Sequence, residues 1–381
     1  MITRRRLLRN SLGAGFVAAL GSSSACSHAP APGSELLGIV PFVDEPEVPF
    51  GVAQRMGLDG RMAFDIATLT PQTLIIGNDQ FFIRTRNPDL LDSQAPWKIT
   101  VHGLVKAPID LTFNDLQPLV ESQGTHLMEC SGNDRGVRFG LISAANWAGI
   151  SIAKLLQKVE PLADATRVLI SGFDQYSLPS ANSVPGASWV FTREQLESSG
   201  AFLASEMNDQ PLPKDHGYPI RLVVPGWYGC ACIKWVNEIK LVDEAEPSTS
   251  QMREFAFKTH QDGVPELARD FQPARIEQAA VPVRVEKWRN DGLPQIRVVG
   301  IMWGGSQPTD KLAIRFSSKM SYEPVESLDH KTNSTWTLWS HNWRPKLPGR
   351  YQIQLKISDP TIHARRLDTG FYHRTVVIDK V

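Results

Sequence analysis

The sequence predicts two structural units, an α+β domain over residues 37–250 and an all-β sandwich over 251–381. Two observations predict this. Up to about residue 243, apolar strand-like runs and helical spacings mix without strict alternation, which argues for α+β and against a doubly wound sheet. From about residue 254, short strand-like runs are separated by turns rich in Gly, Pro, Asn and Asp, the pattern of a sandwich. A chain of 381 residues is long enough for two cores.

In chain order, residues 97–103 alternate and predict a strand. Thr112 is placed to cap a short helix over 113–120, with Pro118 weakening it because a proline inside a helix removes a hydrogen bond. Helical spacing falls on Ile152, Leu155, Leu156 and Val159 within 147–159, with Ser151 just before it. Residues 167–172 form an apolar strand, and Thr192 with Gln195 makes a capping box that opens another helix. Strands follow at 220–225 and 236–242, then a linker at 244–250. The second unit predicts strands at 296–303, 311–316, 335–340, 351–357 and 373–378. Trp303, Trp336, Trp339 and Trp343 are assigned to the core or to packing between its sheets.

Composition narrows the function. Hydrophobic residues are 42%, charged residues 21% and the formal net charge is +0, so no basic surplus points to nucleic acid. Four cysteines (Cys26, Cys130, Cys230 and Cys232) are too few for a disulfide scaffold, and Cys-x-x-Cys-His is absent, which argues against covalent haem in this chain. Neither Gly-x-Gly-x-x-Gly nor a P-loop occurs, which argues against a nucleotide site.

The N-terminus has the layout of an export signal. Arg4, Arg5 and Arg6 precede Leu7 and Leu8, a weakly apolar stretch covers 11–20, and small residues fill 21–25. The pattern resembles the twin-arginine signal, so residues 1–36 are expected to be a signal peptide and tether and the mature protein periplasmic. Ser23 and Ala25 fit cleavage after Ala25. Cys26 would then be the first residue and open to a lipid anchor, although Ser23 is a poor match to the Leu expected there.

The chemistry centres on residues 125–136, where a partly apolar run breaks into a polar, Gly-bearing turn at Cys130. A thiolate there can act as a nucleophile or a soft-metal ligand; a lone Cys is more often a buried small hydrophobe. Arg84 and Arg86 follow an aromatic run, His216 and Arg221 flank a Gly-containing turn, and Lys234 precedes a strand. Taken singly, each is more often a solvated loop charge; together they can converge on a phosphate-bearing anion. Cys230 and Cys232 could pair on a soft metal, but a second pair of ligands is not evident.

These segments also carry a resemblance. The chain resembles the sulfite oxidase family of molybdopterin-dependent oxidoreductases in an ordered set of motifs: 81–84 (Phe-Phe-Ile-Arg), 129–133 (Glu-Cys-Ser-Gly-Asn), 141–149, 206–213, 215–221 (Asp-His-Gly-Tyr-Pro-Ile-Arg), 223–226 and 233–235 (Ile-Lys-Trp). The resemblance runs from about residue 75 to the end. It implies an immunoglobulin-like second domain through which the family dimerises. It makes Cys130 the thiolate ligand of molybdenum, and it puts Arg84, Thr85, Arg86, Asp174, His216, Arg221, Ile233 and Lys234 at the pyranopterin and its phosphate. It implies oxo transfer on a small oxyanion, with electrons passed to a separate redox protein such as a c-type cytochrome. A reductase of S-oxides or N-oxides on the same site, or a cofactor-free binding protein of the same fold, are the rival readings. Two family features are replaced: Ala231 stands where an Arg is usual, and 252–258 offers Phe255 and Phe257 in place of a Tyr.

Overall fold

Extended, β-branched and aromatic-rich runs put most of this chain into sheets. The structure, a computed structural model, describes residues 33–56, 59–87, 91, 96–173, 187–329 and 331–379. The export signal, its cleavage region, Cys26 and Asp174 lie outside the described residues.

Two five-stranded sheets build the first unit. One runs in the order Ser188–Thr192, Arg167–Gly172, Val236–Val242, Lys98–Gly103 and Ile109–Thr112, antiparallel except for the parallel pairing of Val236–Val242 with Lys98–Gly103. The other is antiparallel, in the order Gln210–Pro211, Phe202–Met207, Ile142–Ser151 and Glu121–Glu129, with Arg221–Val223 also paired to Phe202–Met207. This second sheet positions the site, because Cys130 follows its last strand and Arg221 begins its short one.

Helix is scarcer than the spacing suggests. Thr112 caps Phe113–Leu116 through a capping box with Asp115, but Pro118 turns the remainder of the expected helix into the 3₁₀ turn Gln117–Leu119. Ser151 caps Ile152–Lys158, while 147–151 belong to a strand. The capping box at Thr192 opens Arg193–Ser198. Local caps were readable; helix length was decided by where the sheets needed strand.

The second unit is two five-stranded antiparallel sheets. Glu35–Val40, Ala279–Asn290, Leu293–Trp303, Thr337–Trp343 and Ser327–Leu328 make one, and Glu323–Pro324, Leu312–Arg315, Gly349–Ile357, Arg374–Ile378 and Phe42–Val43 make the other. The N-terminal arm thus supplies an edge strand to each sheet. Glu35 and Leu36, expected in the tether, already pair with Arg289 and Trp288. The strand Ala279–Asn290 contains Pro282 at a register shift, where a proline's missing N–H is tolerated.

All four tryptophans assigned to the second unit are buried. Two of them also reach the first unit: the Trp336 indole donates to the Leu74 carbonyl at 3.0 Å and the Trp303 indole to the Glu129 carboxylate at 2.8 Å. Trp339 stays within its sheet, donating to the Ile301 carbonyl at 3.0 Å. Its ring occupies the space beside Gly300, where an added Cβ would lie 2.1 Å from it. Gly300→Ala should therefore destabilise the protein by about 1–3 kcal/mol, the range for overpacking a close-packed core. Chemical denaturation measures this, and an unchanged midpoint would mean that the Trp339 ring moves aside without cost.

Candidate active site

Cys130 sits where the strand Glu121–Glu129 turns into a loop that returns along Ile142–Ser151. Its N–H donates to the Leu141 carbonyl and its carbonyl accepts from the Asn133 N–H, both at 2.9 Å. Buried Asn133 braces the loop further, accepting from the Leu141 N–H at 3.0 Å and donating to Glu129 at 3.1 Å. Arg138 and Phe139 both adopt positive φ, at 49° and 59°. Such residues cost on the order of 1–3 kcal/mol each and persist only where packing holds them. Here the buried Phe139 ring, stacked on Tyr372 with centroids 5.4 Å apart, does so.

The Cys130 sulfur accepts the Gly132 N–H at 3.4 Å. Burial raises the thiol pKa, offset in part by that N–H and by the positive charges of Arg84 and Lys258. Cys230 and Cys232 are also pushed up by burial, and the Cys232 sulfur is taken by the Val224 N–H at 3.4 Å. Among the described residues no cluster of three or more His, Cys, Asp or Glu is arranged to hold a metal. A metal at Cys130 must therefore bring further donors with it.

The structure draws most of the predicted binding residues together. Gly217, at φ +109°, ends the turn Lys214–His216, and a Cβ there would lie 3.0 Å from the Arg221 Cβ and 3.2 Å from the Lys234 Cβ. That missing side chain lets His216, Arg221 and Lys234 share one small region. The Lys234 ammonium donates to the carbonyls of Thr85 and Asp215, each at 2.6 Å, and the Asp215 carboxylate accepts the Asn87 N–H at 2.6 Å. Gly60 admits Arg86, whose Cβ would be 2.8 Å from a Cβ at 60, and Gly172 admits the Lys234 carbonyl and Ile233. Ile233 is buried, and its carbonyl accepts the Leu222 N–H at 2.7 Å. Arg84 is paired with Asp59. Asp174 is outside the described residues, so its place beside this group is untouched by the geometry.

His216 and Arg221 show what the region is prepared for. Burial, then the nearby Lys234 and Arg221 charges, depress the His216 pKa to about 3, so the imidazole is neutral at neutral pH. Its Nε2 lies 3.1 Å from the Asn78 carbonyl and must carry the proton. Arg221 is 2% exposed, and burial lowers its pKa to about 10. It donates to the carbonyls of His216 at 3.1 Å and Cys232 at 3.2 Å, and contacts the Met128 sulfur at 3.1 Å. Its Nε has no hydrogen-bond partner among the described residues, and its contacts include no carboxylate. A buried guanidinium satisfied only by neutral acceptors suits an incoming anion, and its fork matches phosphate. Met128, which it touches, lies two residues before Cys130. The residues present therefore fit a phosphate-bearing group.

Sequence reasoning missed the group directly behind Cys130. The Glu129 carboxylate is fully buried and pairs with both terminal nitrogens of Arg365, at 2.9 and 2.7 Å. Trp303 and Asn133 complete its shell. Arg365 also donates to the hydroxyls of Tyr228 at 2.9 Å and Tyr372 at 3.2 Å. Burial raises the pKa of both phenols, which stay protonated at neutral pH. The one local hint was an acidic residue beside a candidate ligand; nothing near Arg365 in sequence marks it.

Residues 86–250, which carry the cysteine and most of these cations on a largely β scaffold, match the family model of the oxidoreductase molybdopterin binding domain. That match implies molybdopterin as the cofactor, and the chain is similar to proteins of the sulfite oxidase family of molybdopterin-dependent oxidoreductases. It is 28% identical to mitochondrial sulfite oxidase of Macaca fascicularis over 299 residues, covering 72% of this chain and 53% of that protein. It is 31% identical to NADPH nitrate reductase of Aspergillus niger over 194 residues, 47% of this chain and 22% of that protein. The chain thus spans about half the length of the sulfite oxidases it matches. The fold is similar to that of the sulfane dehydrogenase SoxCD from Paracoccus pantotrophus, with a TM-score of 0.64 and 17% identity over 86% of this chain and 89% of that one.

Removing one partner of the buried pair leaves the other charge uncompensated, at a cost of about 3–5 kcal/mol. Arg365→Ala and Glu129→Ala should each destabilise by that amount. The double variant should lose less than the two together. Urea unfolding of the three proteins gives the coupling, and strictly additive losses would show that the pair is not a unit.

Proposed function

We propose that this chain is an exported molybdenum–pterin oxidoreductase in which the Cys130 thiolate ligates the metal. The observation that carries the reading is Arg221: a buried guanidinium without a carboxylate, in contact with Met128 on the strand that leads to Cys130, is a charge waiting for an anion. In this reading Arg84, Thr85, Arg86, Asp174, His216, Arg221, Ile233 and Lys234 hold the pyranopterin and its phosphate. When bound, the group supplies oxo transfer and electron storage. The protein's own part is to bind and orient it. Arg221 and Lys234 neutralise the phosphate, neutral His216 hydrogen-bonds without adding charge, and the Asn133 brace keeps the sulfur in place.

Electrons leave to a separate redox protein, for which we propose a c-type cytochrome. The relatives are named for sulfite and nitrate, so the substrate we propose is a small oxyanion. A second reading, reduction of S-oxides or N-oxides, is favoured by buried Ala231 and by Phe255 and Phe257, which offer no polar group where family members have one. Assays with sulfite and with dimethyl sulfoxide, using dye acceptors and donors, separate the two. The C-terminal sheets are proposed to be an immunoglobulin-like dimerisation domain. Periplasmic location and a lipid at Cys26 complete the proposal. Metal and pterin analysis of the purified protein tests it most directly, since a cofactor-free binding protein would contain neither.

Cys130→Ser should keep pterin and lose turnover by about 100-fold or more, because a hard oxygen replaces a soft sulfur and changes to outer-shell groups alone reach that size. Cys230→Ser and Cys232→Ser should be far milder. Near-normal turnover in Cys130→Ser removes the central claim. For export, replacing Arg4 and Arg5 by Lys should leave unprocessed precursor in the cytoplasm, as cell fractionation would show. Full periplasmic recovery of that variant sinks the twin-arginine reading.

A further inference from the structure

The open side of Cys130 is bounded by a cation that neither the motifs nor the binding group includes. A Cβ added at Gly132 would lie 3.9 Å from the Cys130 sulfur and 3.7 Å from the Lys258 ammonium, and beyond its chain neighbours these are the atoms it would meet within 4 Å. Gly132 therefore leaves a gap about one methyl group wide between sulfur and ammonium. Lys258 is exposed while Cys130 is buried, so the ammonium stands between the sulfur's surroundings and solvent.

The neighbouring charges are already committed. Arg84 is paired with Asp59, and Glu129 is consumed by Arg365. Among the described residues no ion pair or hydrogen bond engages the Lys258 ammonium; its recorded contact is the Phe255 ring, 5.7 Å from the centroid. The base of Lys258 is nonetheless well held. It lies in the turn Phe257–Thr259, where the buried Thr259 hydroxyl donates to the Phe255 carbonyl at 3.0 Å. Buried Gln261 then clamps the turn, donating to the carbonyls of Thr259 at 3.1 Å and Gln272 at 3.0 Å and accepting the Gln272 N–H at 2.7 Å. A free cation on a fixed turn, beside the candidate metal ligand, is arranged to receive a negative charge.

We infer that Lys258 is a specificity-determining residue that selects an anionic substrate, holding one anionic oxygen at the gap over Gly132. This rests on the proposed role of Cys130 as metal ligand. It also favours an oxyanion over a neutral S-oxide, since a neutral substrate gains little from the ammonium.

The test uses inorganic sulfate, an unreactive oxyanion, and the purified full-length protein. Sulfate affinity is measured by isothermal titration calorimetry for the parent, Lys258→Gln, Lys258→Arg and Arg253→Gln, an exposed neighbour on the preceding helix Ser250–Glu254. Loss of one charge-assisted hydrogen bond should weaken sulfate binding about tenfold or more in Lys258→Gln. Lys258→Arg should stay within about threefold of the parent, and Arg253→Gln should be unchanged. Equal affinity in Lys258→Gln and the parent overturns the inference. So does an equal loss in Arg253→Gln, which would make the effect one of general charge, and so does a parent that binds no sulfate. Molybdenum and pterin are measured in the same preparations. Their absence overturns the proposed function, and unchanged sulfate affinity overturns Lys258, so the two failures are distinguishable.

Discussion

The buried ion pair between Glu129 and Arg365 is the constraint on which the rest of the site depends. A fully buried carboxylate beside Cys130 costs several kcal/mol unless it is neutralised and hydrogen-bonded. It receives two donors from Arg365, one from Trp303 and one from Asn133. Two of those three residues belong to the C-terminal part of the chain. The second unit is therefore not an appendage: the backbone that carries Cys130 is held in place by side chains from it.

Around His216 and Arg221 the electrostatic logic is reversed. Glu129 has every partner it needs, whereas Arg221 has a cation's burial cost and only neutral acceptors. His216, with its pKa lowered to about 3, adds no charge. The positive φ values at Arg138 and Phe139 are a second local cost, in the loop after Cys130, held there by packing of the Phe139 ring. Proteins break local rules of this kind where function needs them. Strain in the loop after Cys130, a buried thiol at the strand end and a cation without a carboxylate touching Met128 on that strand together mark this place as the candidate site.

Local signals in the sequence held up where a short-range interaction decides the structure. Thr112 and Thr192 cap helices because their hydroxyls reach an N–H three residues on. Pro118 cuts the first of these short because it has no N–H to give. Gly217 marks a turn because its φ is positive. The N-terminal arm was not legible, because its partners, Arg289 and Trp288 among them, are some 250 residues away. Trp303 and Trp336 were placed in packing within the second unit because apolarity alone says nothing about which surface an indole N–H reaches.

The sequence by itself determined that Cys130 ends a strand at a polar turn, and that cations lie on several separate loops. Its ordered motifs also carried the resemblance to the sulfite oxidase family. The tertiary structure decided which cations meet. Glycines at 172 and 217 let His216, Arg221 and Lys234 pack closely, and Gly60 separately admits Arg86. Folding also brought Arg365 to Glu129 across 236 residues, and Lys258 to the gap beside the sulfur. Spacing reports only neighbours along the chain, whereas charge compensation and close approach depend on distances that exist only once the sheets have packed.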